Sequence, residues 1–233
     1  MVINPNKIKK ISLDIEKKEV LRYLGYKNCS IDEITKRIIE FSIKEIKELC
    51  EFKYVFNIFD IKKLNHNIYV TGSVCKLNGN DIFNHLKTSD KCAIMAVTLG
   101  NEVDKKIRYY SNIDITKSII FDACASVAVE NLCDSVENII KRIAFDSGYY
   151  TTTRFSPGYG DFPIDSQFEI LEILKAPTQI GLTVTEKNIL IPRKSVTAII
   201  GFSKSKDKSD FGCKKCKMFN NCTYAKRGEE CHA

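Results

Sequence analysis

The sequence predicts an α+β fold: one domain of about 200 residues built on a largely antiparallel sheet, with a short appended tail. Three observations point there. Two long stretches carry apolar residues at helical spacing, whereas several shorter ones alternate and are rich in β-branched and aromatic types. At roughly 100–200 residues per domain, 233 residues make one large domain or two small ones. No internal repeat or low-complexity linker divides the chain, and KSKDKSD (204–210) is the one hinge-like stretch.

The elements follow in order. A short helix is predicted at about 16–24, stopped by Gly25. Ser30 and Glu33 match an S-x-x-E capping box, and behind them Ile31, Ile34, Ile38, Phe41, Ile46 and Leu49 predict an amphipathic helix over about 31–51. Residues 52–75 read as two or three antiparallel strands, and Asp81–Lys87 as a short helix. KCAIMAVTLG reads as a buried strand ended by Gly100, and 101–110 as helical. Asp114 opens the strongest element, a helix to about Phe145 whose Ala, Ser and Cys residues let another backbone approach closely, with Gly148 ending it. A polar, aromatic loop follows, then a helix at about 165–175 and a β pair near 182–201.

Composition narrows the function classes. The apolar share is 44% and the charged share 28%, as in a globular chain that buries a core. No apolar run reaches the roughly 18–20 residues that span a bilayer, and the N-terminus lacks the apolar stretch of a signal peptide, so a cytoplasmic protein without membrane partners is expected. With only three His, chemistry built on a histidine cluster is disfavoured, and His66 and His85 read as surface or strand-end residues. The net charge is +7, of which residues 203–233 supply +4, from eight basic and four acidic residues. The sign alone identifies no partner. Six of the ten Cys sit among apolar neighbours and read as reduced core residues.

The stretch Arg154-Phe155-Ser156-Pro157-Gly158-Tyr159-Gly160-Asp161-Phe162-Pro163 is unusual. Glycine permits positive φ and close approach of a ligand to the backbone, and proline stiffens the loop. Arg154 offers a planar fork for a carboxylate or phosphate, and Tyr159 a flat face with a polar tip. The loop is therefore a candidate small-molecule cradle. Equally, Pro and Gly read as shaping a long turn while Arg154 caps the preceding helix or makes a surface pair.

This segment resembles the S-adenosylmethionine loop of the activation domain of cobalamin-dependent methionine synthase. That family's signature is an Arg, a small residue two later, then Pro-Gly-Tyr and a nearby Pro. Arg154, Ser156, Pro157, Gly158, Tyr159 and Pro163 fit it in order. DSQFEILEIL (165–174) and ILIPRKSVTAIIGFS (189–203) are similar to the family's following segments. The stretch 98–134 and the opening EVLRYLGYKN resemble its stand-alone bacterial form.

The resemblance implies a twisted, largely antiparallel sheet flanked by long helices over residues 1–203, with the basic Cys-rich tail at 204–233. It implies a subunit that binds S-adenosylmethionine for reductive methylation of cob(II)alamin on a partner, with one electron from a flavodoxin-like donor. The partner would be a corrinoid-binding methionine synthase subunit, because this chain shows no zinc, folate or corrinoid module of its own. As a cobalamin-dependent methyltransferase component it would not be autonomous, and no side chain of its own would be catalytic. Arg154 would pair with the ligand carboxylate, backbone groups around Ser156 and Gly158 would hold the adenosyl part, and Tyr159 would enclose it. Glu130 would face the cationic end. Asp122, Ser126 and Glu130 share one helix face at i, i+4, i+8. A solvated face or a Lys pair is the alternative for Glu130. The family's fused enzymes also use an aspartate on an N-terminal arm and a tyrosine pair after the final strand, neither of which is placed in this sequence.

The remaining four Cys form Cys213-x-x-Cys216-x5-Cys222-x8-Cys231. Such thiolates can close a zinc site or hold an iron–sulfur cluster; redox-active thiols and a tail with no ligand are the alternatives. Rival readings of the whole chain are a reactivator of another corrinoid methyltransferase, a Cys-cluster electron-transfer or scaffold protein, and a nucleic-acid-binding module. Few aromatics in the tail and its modest charge argue against nucleic acid.

Overall fold

The computed structural model describes residues 11–26 and 31–205. The tail cysteines and Ser30 lie outside them. The elements run α1 (Lys17–Tyr23), α2 (Glu33–Leu49), β1 (Lys53–Leu64), β2 (Asn67–Val70), β3 (Lys76–Leu77), α3 (Asn80–His85), β4 (Ser89–Thr98), α4 (Asn101–Ile113), α5 (Ile115–Asp146) and β5 (Tyr150–Thr151). After the loop come α6 (Ser166–Leu174), α7 (Ala176–Ile180), β6 (Thr183–Val184), β7 (Leu190–Ile191) and β8 (Ser195–Ser203).

The predicted α+β class holds. Six strands form one antiparallel sheet in the order β3-β2-β1-β4-β8-β5, and β6 and β7 form a separate small ribbon. The β pair expected near 182–201 is thus two things. Its first part is that ribbon, and its second, β8, crosses back to lie between β4 and β5.

Strand β4 is buried along most of its length, with an apolar run from Cys92 to Val97, because both faces of the sheet are covered. Successive side chains point to opposite sides. Ala93, Met95 and Val97 face a core shared with α1, α2, α4 and α5, while Cys92, Ile94 and Ala96 face a second core under α3, α6 and α7. Gly201, paired with Cys92, lies so close to its neighbours that a Cβ there would stand 2.3 Å from Ser89 Oγ and 2.7 Å from Leu86 Cδ2.

Helix α5 is the spine of the first layer. Its 32 residues span about 48 Å at 1.5 Å each. Asp114 caps its start, the carboxylate accepting from Lys117 N–H at 3.0 Å. Ala123, Cys124, Ala125, Ala128 and Cys133 are buried along it, as the small-residue reading anticipated. Helix α2 begins later than predicted, because Asp32 is the N-cap and accepts from both Thr35 N–H (2.9 Å) and Thr35 Oγ1 (2.6 Å). A carboxylate at this position also complements the helix dipole. Among the described residues no helix is long and apolar enough to cross a membrane.

Candidate functional site

The Arg154–Pro163 loop leaves the sheet edge after β5 and is tied down at both ends. Thr152 Oγ1 accepts from Gly201 N–H at 2.8 Å, and Phe155 exchanges two backbone hydrogen bonds of 2.9 Å with Ile199 of β8. Within the loop, Tyr159 N–H donates to Ser156 O (3.1 Å), Gly158 N–H to Phe162 O (2.8 Å) and Phe162 N–H to Tyr159 O (2.9 Å). The expectation that backbone groups around Ser156 and Gly158 serve a ligand meets this limit: the Gly158 amide is already spent inside the loop. Phe155 and Phe162 stack at 6.2 Å and are buried in the second core, so the loop carries its own apolar keel.

The far end of the loop is clamped to α3. Asp161 accepts from the N–H groups of Asn80 (2.8 Å) and Asp81 (2.9 Å), and Asp81 accepts from Asp161 N–H at 3.0 Å. Two glycines make this possible. Gly158 has φ +93° and Gly160 φ +56°, and a Cβ at Gly160 would lie 2.0 Å from Asp81 Oδ2. The clamp orients Tyr159, which is 42% exposed and packs edge-on against Phe155.

Below the start of the loop lies His85, a correction to its reading as a surface residue. It is 1% exposed, with Nε2 2.8 Å from Thr152 Oγ1 and 3.0 Å from Thr153 O, and its ring 4.9 Å from that of Phe155. Burial pushes its pKa down to about 4. The ring is held neutral and supports the backbone just before Arg154. His66 is exposed in the turn between β1 and β2, as expected.

Arg154 reaches across to α5. Its guanidinium lies 2.7 Å from Asp134 Oδ1, 2.9 Å from Glu137 Oε2 and 3.4 Å from Glu130 Oε2. The three acids sit at i, i+4 and i+7 on one face of the helix. The alternative sequence reading has Arg154 capping the preceding helix or making a surface pair; the pairing present is instead largely buried, with carboxylates the loop motif does not disclose. The predicted stripe of Asp122, Ser126 and Glu130 does not face one site. Lys194 Nζ takes Asp122 (3.0 Å) and Ser126 (2.8 Å) into a separate cluster, leaving Glu130 beside Arg154.

Glu130 and Arg154 open onto a cleft of about 260 Å³. Its other wall is the N-terminal arm and α1, contributing Asp14, Glu16, Glu19, Arg22 and Tyr23. The arm is pinned to α5 where Asp14 N–H donates to Asn131 Oδ1 at 3.0 Å. Arg22 pairs with Glu19 at 2.6 Å and lies over the Tyr23 ring at 4.8 Å. Burial pushes the Glu130 carboxyl up, and Arg154 offsets only part of that. The phenols of Tyr23 and Tyr159 are also raised, by burial first and then by the charge of Glu130; of the two, Tyr23 lines the cleft, whereas Ser156, Gly158 and Tyr159 are not among its lining residues. Five carboxylates against two guanidinium groups leave the lining with an excess of three negative charges. That suits a cationic ligand, as the sequence expected of Glu130 alone.

The arm residues have no local signal in the sequence, since the contact between Asp14 and Asn131 spans 117 positions. Asp134 and Glu137 went unremarked in the sequence; their i+4 and i+7 spacing from Glu130 is the signal that could have found them. Among the described residues no group of His, Cys, Asp and Glu is arranged to hold a metal.

Comparison with known proteins bears on this arrangement. Among solved structures, the crystal structure of the MetH reactivation domain bound to AdoHcy aligns with a TM-score of 0.58 at 15% identity, over 80% of this chain and 70% of that one. At that identity the likeness concerns the fold. No curated protein sequence matches. The family model described as "Vitamin B12 dependent methionine synthase, activation domain" matches residues 76–229, a span that holds α5, the Arg154 loop and β8. With about two thirds of its length inside that match, the chain belongs to the family of the vitamin B12-dependent methionine synthase activation domain.

Proposed function

We propose that this chain is a reactivation subunit that binds S-adenosylmethionine in the cleft between the N-terminal arm, α5 and the Arg154 loop and presents it to a corrinoid carried by a partner, a methionine synthase subunit in the cytoplasm. The observation that carries the reading is the acidic cleft itself, set against the family's loop. The ligand of the similar solved structure, AdoHcy, is the demethylated form of the same compound. The ligand supplies a methyl group, and the partner's cobalamin receives it together with one electron from a flavodoxin-like donor.

The residues fit such a guest. Glu130, part-buried and sharing the cleft lining with Tyr23, meets the positive end. Tyr159, Ser156 and Gly158, on a loop stiffened by the clamp to α3, would meet the part of the ligand that extends beyond the cleft. Asp14 and Tyr23 supply an arm aspartate and an aromatic ring from a direction the sequence did not show. The cleft is smaller than the roughly 300–1,000 Å³ of enclosed small-molecule sites, so part of the ligand stays exposed. A methyl group that must be handed to a corrinoid needs that exposure. These residues bind and orient the ligand, and none acts as a base or nucleophile.

Calorimetric titration of S-adenosylmethionine into the full chain tests the reading. Saturable binding is expected, weakened about tenfold or more in Glu130→Gln. Because a cation favours ionised Glu130, affinity is expected to fall as pH drops through the raised pKa of that group, with proton release on binding in that range. Absence of saturable binding overturns the proposal.

The proposal extends to the tail. Cys213, Cys216, Cys222 and Cys231 are assigned to a zinc or iron–sulfur site. Elemental analysis of anaerobically purified protein is expected to find zinc or iron at near one equivalent of site, lost when Cys213 and Cys216 are replaced by Ser. Absence of both metals ends this assignment.

A further inference from the structure

We infer that a second cleft, between α4, α5 and the turn leading into β8, binds a small molecule carrying a phosphate monoester, held between the guanidinium groups of Arg108 and Arg193. The inference does not depend on the S-adenosylmethionine reading. This cleft has a volume of about 310 Å³, and the proposed function makes no use of it. Asp122, in its wall, lies eight residues before Glu130 on α5, a rise of about 12 Å.

The turn is a fixed platform. Asp104, in the first turn of α4, accepts from the N–H groups of both Arg193 and Lys194. Leu99 N–H donates to Lys194 O at 3.0 Å, and Ser195 Oγ donates to Pro192 O at 2.6 Å. Asp104 thus spends its carboxylate on backbone amides. Asp122 is occupied as well, by Lys194 Nζ at 3.0 Å, and the same ammonium donates to Ser126 Oγ at 2.8 Å. What the cleft has left over is guanidinium. Arg108 and Arg193 are exposed, both line it, and neither makes an ion pair among the described residues. Three basic side chains against two acidic ones leave the lining with a net charge of +1, whereas the first cleft has an excess of negative charge.

The ligand class follows from the donors. A carboxylate has two oxygens and is satisfied by one guanidinium fork. A phosphate monoester has three terminal oxygens and a charge near −2 at neutral pH, so it takes a bidentate pair from one fork and a further bond from the other. The volume falls at the lower end of small-molecule sites, about 300–1,000 Å³, which leaves room for a sugar-sized body beside the phosphate.

Calorimetric titration of ribose 5-phosphate, ribose, inorganic phosphate and succinate into the full chain tests the inference. Ribose 5-phosphate is expected to bind saturably, about tenfold or more tightly than succinate, and ribose not at all. Its affinity is expected to fall about tenfold in Arg108→Gln and in Arg193→Gln, and to weaken as pH drops through the second phosphate pKa of about 6. Arg142, exposed on α5, lines neither cleft, so Arg142→Gln should leave the affinity within about twofold. No saturable binding of ribose 5-phosphate overturns the inference, and so does binding of inorganic phosphate alone, which would make this a site for an adventitious ion only. Succinate binding as tightly as the phosphate, or a loss in Arg142→Gln matching those in the two cleft variants, overturns it too. S-adenosylmethionine should bind Arg108→Gln/Arg193→Gln as it binds the parent, so the two clefts are read out separately.

Discussion

Arg154→Ala is expected to cost about 2–3 kcal/mol of folding stability, whatever it does to ligand binding. The side chain is 19% exposed and is the shared partner of three carboxylates on successive turns of α5. Removing it leaves like charges facing one another, one of them on the buried Glu137. Breaking a buried pair typically costs about 3–5 kcal/mol. Here Asp134 is exposed and adds little, and Glu137 keeps Lys141 at 2.7 Å, which brings the expectation to the lower figure. Urea unfolding monitored by circular dichroism measures it, with the midpoint shifted and the slope unchanged. Adding Glu137→Gln to Arg154→Ala should recover most of the loss. A variant as stable as the parent would show that the guanidinium is not needed by the fold. The ion-pair account would then be wrong, and Arg154 would be free to serve a ligand.

Acidification should expose the second large effect. His85 is neutral in the fold with a pKa near 4, against about 6.5 when unfolded. Between those values the unfolded chain takes up a proton that the folded chain refuses. The stabilisation is therefore fully present above about pH 6.5 and is lost as pH falls toward 4. At about 1.36 kcal/mol per pH unit the window is worth about 3 kcal/mol. Unfolding free energies at pH 7.5 and 4.5 should show the parent losing about 3 kcal/mol more than His85→Gln. Parallel losses in the two proteins would remove His85 from the account. Because the ring supports Thr152 and Thr153, the Arg154 loop should loosen ahead of the rest of the sheet.

Most helices and strands were legible because their signals are local. The Ile and Leu spacing of α2, the cap at Asp114 and the apolar run of β4 each report on burial within a few residues. The Gly and Pro of the loop likewise announced a shaped turn. What escaped was long-range. Nothing in FNHLK distinguishes a buried His85 from an exposed one, since its partners lie 67 and 68 positions away. The residues of β8 read as a strand, but its seat between β4 and β5 depends on pairings across about a hundred residues. Arg154 was found by its motif, but its pairs with Asp134 and Glu137 were not, because those carboxylates come from another element. The arm acids were missed for the same reason.

The seat of β8 has a consequence for biogenesis. During translation β1 and β4 can pair early, but the outer edge of β4 stays open until Ser203 has left the ribosome, and Phe155 has no Ile199 to bind until then. Pairings of such sequence separation form slowly. A nascent chain cut short before β8 would present a long apolar strand with unmet amides, a template for aggregation. The loop that bears Arg154, and with it one wall of the cleft, is therefore among the last parts of the protein to be completed.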